Sequence, residues 1–359
     1  MKKRNVNLDL VKCIAVFSVI SVHFFLNNGF YLVPVIGKKM YISVFFRTLF
    51  MICVPLFMVA TGYLMKDKKL SKKYYWGISR VLIVYTLTAI LYFIYNKYMG
   101  YIVFDIKEII KRFLKFDVGY SWYVEMYIGL FLLIPFINLI YNNLKDKKEK
   151  KILIITMLFL TAFQGLFNIK EIIIPTWWTK FYPITYYFIG CYLKEYKINI
   201  NKIVNILLLL VVLFISSFVN IKLSNNGNFF WGVHNDWGSI FNVLTTVLVF
   251  IFIINLKLDK IPLILQKLII KLSELSFGTY LLSAIVDNYL YKNVFAQTEL
   301  LSLKSYFIIV PLVFVTATFL SFLVDIIYKI IDRFIIKGVF QKNKISNIVY
   351  NNIKRLKER

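Results

Sequence analysis

The 359-residue sequence is short of the residues that build most soluble active sites: it has 2 histidines, 3 cysteines and 18 acidic residues, against 44 Lys and Arg. Cys13, Cys53 and Cys191 lie inside apolar runs with no metal-ligand spacing, so they indicate neither a disulfide framework nor a zinc site and read as small packing residues. The 14 glycines form no Walker or Rossmann pattern, which leaves no cytosolic nucleotide fold. No internal repeat is strong enough to declare a transporter architecture. A basic start, Lys2, Lys3 and Arg4, precedes an apolar run, but no small-residue cleavage site follows Val22-His23-Phe24. That start reads as a retained first helix. A formal net charge of +26 would suit nucleic acid, yet the basic residues fall in short clusters between apolar runs, with no RNA- or DNA-reading module among them. No nucleic-acid partner is expected.

What the chain has instead is apolar length. It is 59% hydrophobic and 18% aromatic, with a mean hydropathy of +0.69, and runs of membrane-spanning length recur from end to end. This is the composition of an all-α, polytopic membrane helical bundle. Ten transmembrane helices are expected, over 8–28, 41–65, 80–98, 121–141, 152–169, 177–194, 203–221, 239–256, 273–291 and 305–328. Basic clusters at 66–73, 145–151, 257–271 and in the tail put the N- and C-termini on the cytoplasmic side. Residues 1–328 then form one membrane domain and 329–359 a basic cytoplasmic tail lying on anionic lipid. Between spans three and four, Ile106, Ile109, Ile110, Phe113 and Leu114 recur at helical spacing opposite Lys107, Glu108, Lys111 and Arg112. That pattern predicts an interfacial helix on the outer surface.

Against this background the ionisable residues inside the spans are the site candidates. The first span, DLVKCIAVFSVISVH, carries Asp9, Lys12 and His23. Lys12 and His23 are eleven residues apart, which at roughly 100° per residue places both on one face, about 16 Å apart along the axis. Lys12 sits near the inner boundary and His23 about two-thirds of the way across. Two readings stand for each: Lys12 meets a substrate or neutralises Asp9, and His23 does proton chemistry or is a hydrogen-bonded bundle residue. Span two contains Arg47, a kink-forming Pro55 and the pair Thr61-Gly62, which permits close helix contact. Arg80 begins span three, where it can meet phosphates or lipid headgroups. Glu125, one turn into span four, is either a hydrated interfacial carboxylate or the partner of a buried cation. Asp287 in span nine lies at roughly the depth of His23, so these two can meet across the bundle, and Glu274 sits near the inner face. Trp177 and Trp178 read as an aromatic belt. The outer segment 222–238 gathers Trp231, His234, Asp236 and Trp237, a mixture suited to carbohydrate or to any interfacial loop.

Four patches then carry a family resemblance. LDLVKCIAVFSVISVH is similar to Leu-Asp-x-x-Arg followed by ten residues and His, and VPLFMVATGYLM to Val-Pro-x-Phe-Phe-x-x-Ser-Gly-Tyr-Leu. SWYVEMYIGLFLLIP keeps Trp122, Gly129 and Pro135 in register with a Trp-Tyr pattern, and SFGTYLLSAIV is similar to Ser-x-Gly-x-Tyr-Leu-x-His. Together they resemble the acyltransferase 3 family of integral membrane acyltransferases, in particular its polysaccharide and enterobacterial-common-antigen O-acetyltransferase branch. Three positions depart: Lys12 stands for Arg, Thr61 for Ser, and Ser283 for the span-nine His. An ammonium keeps the charge but loses the bidentate fork.

The resemblance implies transfer of an acyl group, most often acetyl, from cytoplasmic acetyl-CoA to a hydroxyl of a cell-surface glycan or lipid-linked saccharide. The setting would be a multi-pass protein of the bacterial plasma membrane. His23 would be the catalytic base. Lys12, Arg80, Glu125 and Asp287 are the substrate-binding candidates, with acyl-CoA as donor substrate, membrane lipids as surroundings and no permanently bound cofactor. The competing readings are a glycan exporter or flippase, and a catalytically degenerate member acting as a membrane sensor.

Overall fold

A computed structural model describes residues 4–101, 105–168, 171–295 and 303–333. The apolar runs form helices, and polar residues at their starts cap them. In chain order these are α1 (Val6–Asn27), α2 (Gly37–Phe50), α3 (Cys53–Met65), α4 (Lys72–Trp76), α5 (Ser79–Tyr98), α6 (Ile106–Leu114) and α7 (Trp122–Asn143). They continue with α8 (Lys147–Thr161), α9 (Gln164–Phe167), α10 (Tyr182–Glu195), α11 (Lys202–Ser224), α12 (Ile240–Ile254), α13 (Leu263–Tyr289) and α14 (Leu303–Ile331). The side chains of Asn5, Asp105, Asp146, Asn201 and Ser239 each accept from a backbone N–H of the helix that follows, satisfying donors that the first turn leaves free. No strand occurs among the described residues; the one sheet-like feature there is an isolated bridge between Pro34 and Asn228.

Eight helical segments among the described residues are long and apolar enough to cross a membrane. The fifth and sixth of the ten expected spans are α8 and α10, of 15 and 14 residues. At 1.5 Å per residue such helices reach only about 21–23 Å, short of the roughly 30 Å hydrocarbon core. They pack on each other, and α10 also packs on α3. Most of the expected basic tail, from residue 334 onward, lies outside the described residues.

Helix α1 is the axis of the bundle, packing against α3, α12, α13 and α14. Val11, Ala15, Val16, Val19 and Val22 enter one apolar cluster, while Ile20, Phe24 and Phe25 enter another. A helix apolar on both sides has no solvent face, and α1 accordingly lies within the protein. Elsewhere close approach is set by glycine: a Cβ on Gly62 would run into the Tyr187 carbonyl oxygen, and one on Gly190 into that of Val59. The backbones of α3 and α10 therefore touch, as the Thr61-Gly62 pair leads one to expect.

The prolines are accommodated by named donors. Pro55 cannot bond the carbonyl of Met51, and that oxygen accepts instead from Asn242 Nδ2 at 3.1 Å. Pro135 leaves the carbonyl of Phe131 free in the same way, and Tyr74 Oη donates to it at 2.6 Å. Neighbouring helices thus satisfy groups that hydrocarbon could not.

Candidate active site

Helix α1 carries Lys12 into one cavity and His23 into another. The first, about 350 Å³, is lined by the start of α1 and by α3, α5, α7, α13 and α14. Arg4 forks onto Asp9, with Nε–Oδ2 at 2.8 Å and Nη2–Oδ1 at 3.0 Å, while Ser273 Oγ donates to Asp9 at 2.6 Å. Arg4 also pairs with Glu274. Lys12 has no hydrogen-bond or ion-pair partner among the described residues, although it lines the cavity. Asp9 is thus held by Arg4 and Ser273, and Lys12 is left facing the space. Arg80, on the same wall, donates to the Glu274 carbonyl at 3.1 Å and lies 3.6 Å from Asp325. Asp325 in turn meets Lys271 and Lys329. Three cations (Arg4, Lys12, Arg80) and two carboxylates (Glu274, Asp325) line the cavity, a surplus of one positive charge, while Asp9, Lys271 and Lys329 pair with Arg4 and Asp325 from outside the lining.

The second cavity, about 80 Å³, lies toward the other end of α1 and is lined by His23 with Trp122, Trp231 and Trp237. His23 is 7% exposed and Asp287 2%. His23 Nδ1 lies 3.8 Å from Asp287 Oδ2, and both atoms are enclosed without a hydrogen-bond partner among the described residues. That distance is beyond a hydrogen bond but brings the two side chains face to face. Since Nδ1 is enclosed, Nε2 is the ring nitrogen left to serve the cavity. Tyr120 lies against the imidazole with ring centroids 3.7 Å apart, and its hydroxyl accepts from Asn27 Nδ2 at 3.2 Å and sits beside the Asp287 carboxyl. The two cavities share walls: Phe57, Tyr123 and Tyr280 line both. Three aromatic side chains are what stands between the cationic chamber and His23.

The structure brings together four of the five site candidates, Lys12 and Arg80 in one chamber and His23 and Asp287 at the other. It does not bring in Glu125, which is exposed and lines neither cavity. On α7 the cavity face is set by Tyr123 and Tyr127, and a residue two positions from Tyr123 is turned by roughly 200° to the opposite side. Depth was readable from the run of residues, but azimuth was not. Ser283 is fully buried and donates to the Tyr280 carbonyl at 2.7 Å. Asp287 follows it by one turn on the same helix face. In the outer segment Trp231 and Trp237 reach the His23 cavity, whereas His234 is buried beside Asn235 and Asp236 accepts from the Trp237 N–H. Trp177 is 88% exposed, as a lipid-interface residue would be. The residues missed in the sequence are Arg4, Tyr120 and Tyr280. Apolar periodicity counts an aromatic ring as core, so a tyrosine over an imidazole gives no signal of its own.

A family model described as an acyltransferase domain matches residues 5–326. No curated protein and no solved structure matches the chain. With that match running through both cavities and all the helices that wall them, the chain belongs to the acyltransferase 3 family of integral membrane acyltransferases.

Proposed function

We propose that the protein transfers an acetyl group from cytoplasmic acetyl-CoA to a hydroxyl of a cell-surface glycan or lipid-linked saccharide in the bacterial plasma membrane. The observation that carries this reading is the shared wall of Phe57, Tyr123 and Tyr280 between a cation-lined chamber and a His23 cavity on one helix. The surplus of positive charge suits the phosphates of a CoA, with Lys12 and Arg80 as the binding residues. Size supports a short acyl group. The His23 cavity, about 80 Å³, is much smaller than the cationic chamber of about 350 Å³, which suits a short acyl group.

In the reaction the acceptor oxygen bonds to the thioester carbonyl carbon while His23 Nε2 takes the hydroxyl proton. Asp287 is the polar side chain that faces Nδ1, the ring nitrogen turned away from the acceptor. The C–S bond then breaks, the thiolate of CoA leaves and recovers the proton from His23, and the acyl ester remains on the acceptor. Asp287 supplies from one turn further along α13 a partner for His23 that Ser283 does not.

The test is mass analysis of surface glycans from cells with and without the gene, together with a His23→Ala strain. The expected result is an ester of acetyl mass that disappears in both altered strains while the glycan is still exported. Loss of the glycan itself, with no ester in the parent, would replace transfer by export; an unchanged ester in the His23→Ala strain would remove the base.

A further inference from the structure

Arg47 in α2 is 0% exposed and forms no ion pair among the described residues. Its Nε donates to Tyr31 Oη at 3.1 Å and its Nη1 to the Asn235 carbonyl at 3.4 Å, whereas Nη2 is buried with no hydrogen-bond partner. The rings of Phe229 and Trp231 face the guanidinium, at 4.7 and 4.5 Å from Cζ to the centroids. Aromatic faces offset part of the charge. They do not replace a counter-ion, and a guanidinium cannot escape by losing its proton. An unpaired charge held inside a membrane protein is costly enough that a partner is expected.

The space beside the guanidinium limits what that partner is. Arg47 lines a cavity of about 10 Å³ in which Thr48, Ser216, Asn235, Ser239, Asn242 and Thr245 supply hydroxyl and amide groups and Met51 and Phe241 complete the wall. That volume holds one water-sized body. A sugar carboxylate or a phosphate ester does not fit, and the full burial of Arg47 gives neither a way to reach it as part of a larger molecule. A water could accept from Nη2 and donate to Asn242 Oδ1, which is also unpartnered, but it would leave the charge unopposed. We propose that Arg47 binds a single halide ion, chloride in the cell, in this cavity, and that the ion locks the 229–239 segment onto α2, α11 and α12. The site is separate from the chemistry at His23 and does not depend on the acyl transfer.

The test uses the purified full-length protein in lipid, melted in gluconate buffer of constant ionic strength with increasing chloride or bromide. The wild-type midpoint is expected to rise by roughly 2–4 °C for each tenfold increase in halide above the dissociation constant. Arg47→Met, which removes charge and counter-ion together, should show no such rise. Crystals soaked in bromide should give an anomalous peak within hydrogen-bonding distance of Arg47 Nη2. An equal response in wild type and Arg47→Met, or none in wild type, overturns the proposal. If the variant does not fold, the bromide map of the wild type decides by itself, since a map without that peak leaves only a water.

Discussion

His23 and Lys12 share a helix face, and the structure gives each a different kind of neighbour. His23 faces the Asp287 carboxyl group across 3.8 Å in an enclosed site. His23→Ala and His23→Gln should each lower acyl transfer by about 10²–10⁴-fold, because neither side chain can cycle a proton at neutral pH. Asp287→Asn should lower turnover while leaving donor KM nearly unchanged, since Asp287 lies at the His23 end of α1 and not in the cationic chamber. Both follow from thiol release by purified protein given acetyl-CoA and an acceptor. Lys12 lacks a partner because Arg4 and Ser273 already hold Asp9. Lys12→Arg should therefore keep or improve donor use, and Lys12→Met should raise donor KM. The double change of Asp9→Asn with Lys12→Met should not restore it. Recovery of activity in that double variant would make Lys12 structural after all.

At the scale of elements, the sequence was legible where one residue type dictates the backbone. Pro55 announced a break, and α2 ends at Phe50 with α3 starting at Cys53. The spacing of Ile106, Ile109, Ile110, Phe113 and Leu114 announced α6, which forms over Ile106–Leu114. Less legible was everything set by how elements face one another. Glu125 has the right depth and the wrong azimuth, and apolar composition alone did not distinguish the short pair α8 and α10 from full spans. The donors to the proline-freed carbonyls come from 57 and 191 residues away, a separation that no local pattern can anticipate. These contacts predict stability effects. Tyr74→Phe removes the donor to the buried Phe131 carbonyl and should destabilise by about 1–3 kcal/mol, read as a lowered melting midpoint in lipid. Gly62→Ala should cost more than that, because its Cβ would meet a backbone oxygen of α10 that no rotamer change can move. A Gly62→Ala protein that melts like the wild type would mean that α3 and α10 do not touch there.

For the whole molecule, transfer across a membrane would depend on which end of α1 faces inward. Arg4, Lys12, Arg80 and Glu274, which a cytoplasmic N-terminus puts near the inner face, gather around one cavity. Those assigned to the outer side, Trp231 and Trp237 of the 222–238 segment, gather with His23 around the other. Two independent sources, loop charge and helix packing, therefore sort the same residues to the same ends. Thiol labelling in intact cells can test the sidedness directly, because Cys13, Cys53 and Cys191 are all buried and give little background with an impermeant reagent. Cysteine introduced at Lys68 or Lys148, in the basic segments that follow α3 and begin α8, should be protected until the cells are opened. Cysteine at Asn226, in the turn after α11, should react at once. Reaction at Lys68 with protection at Asn226 would turn the molecule over, placing the cationic chamber outside where no CoA is supplied. The donor would then have to be something other than a cytoplasmic thioester, while the pairing of His23 with Asp287 would still stand.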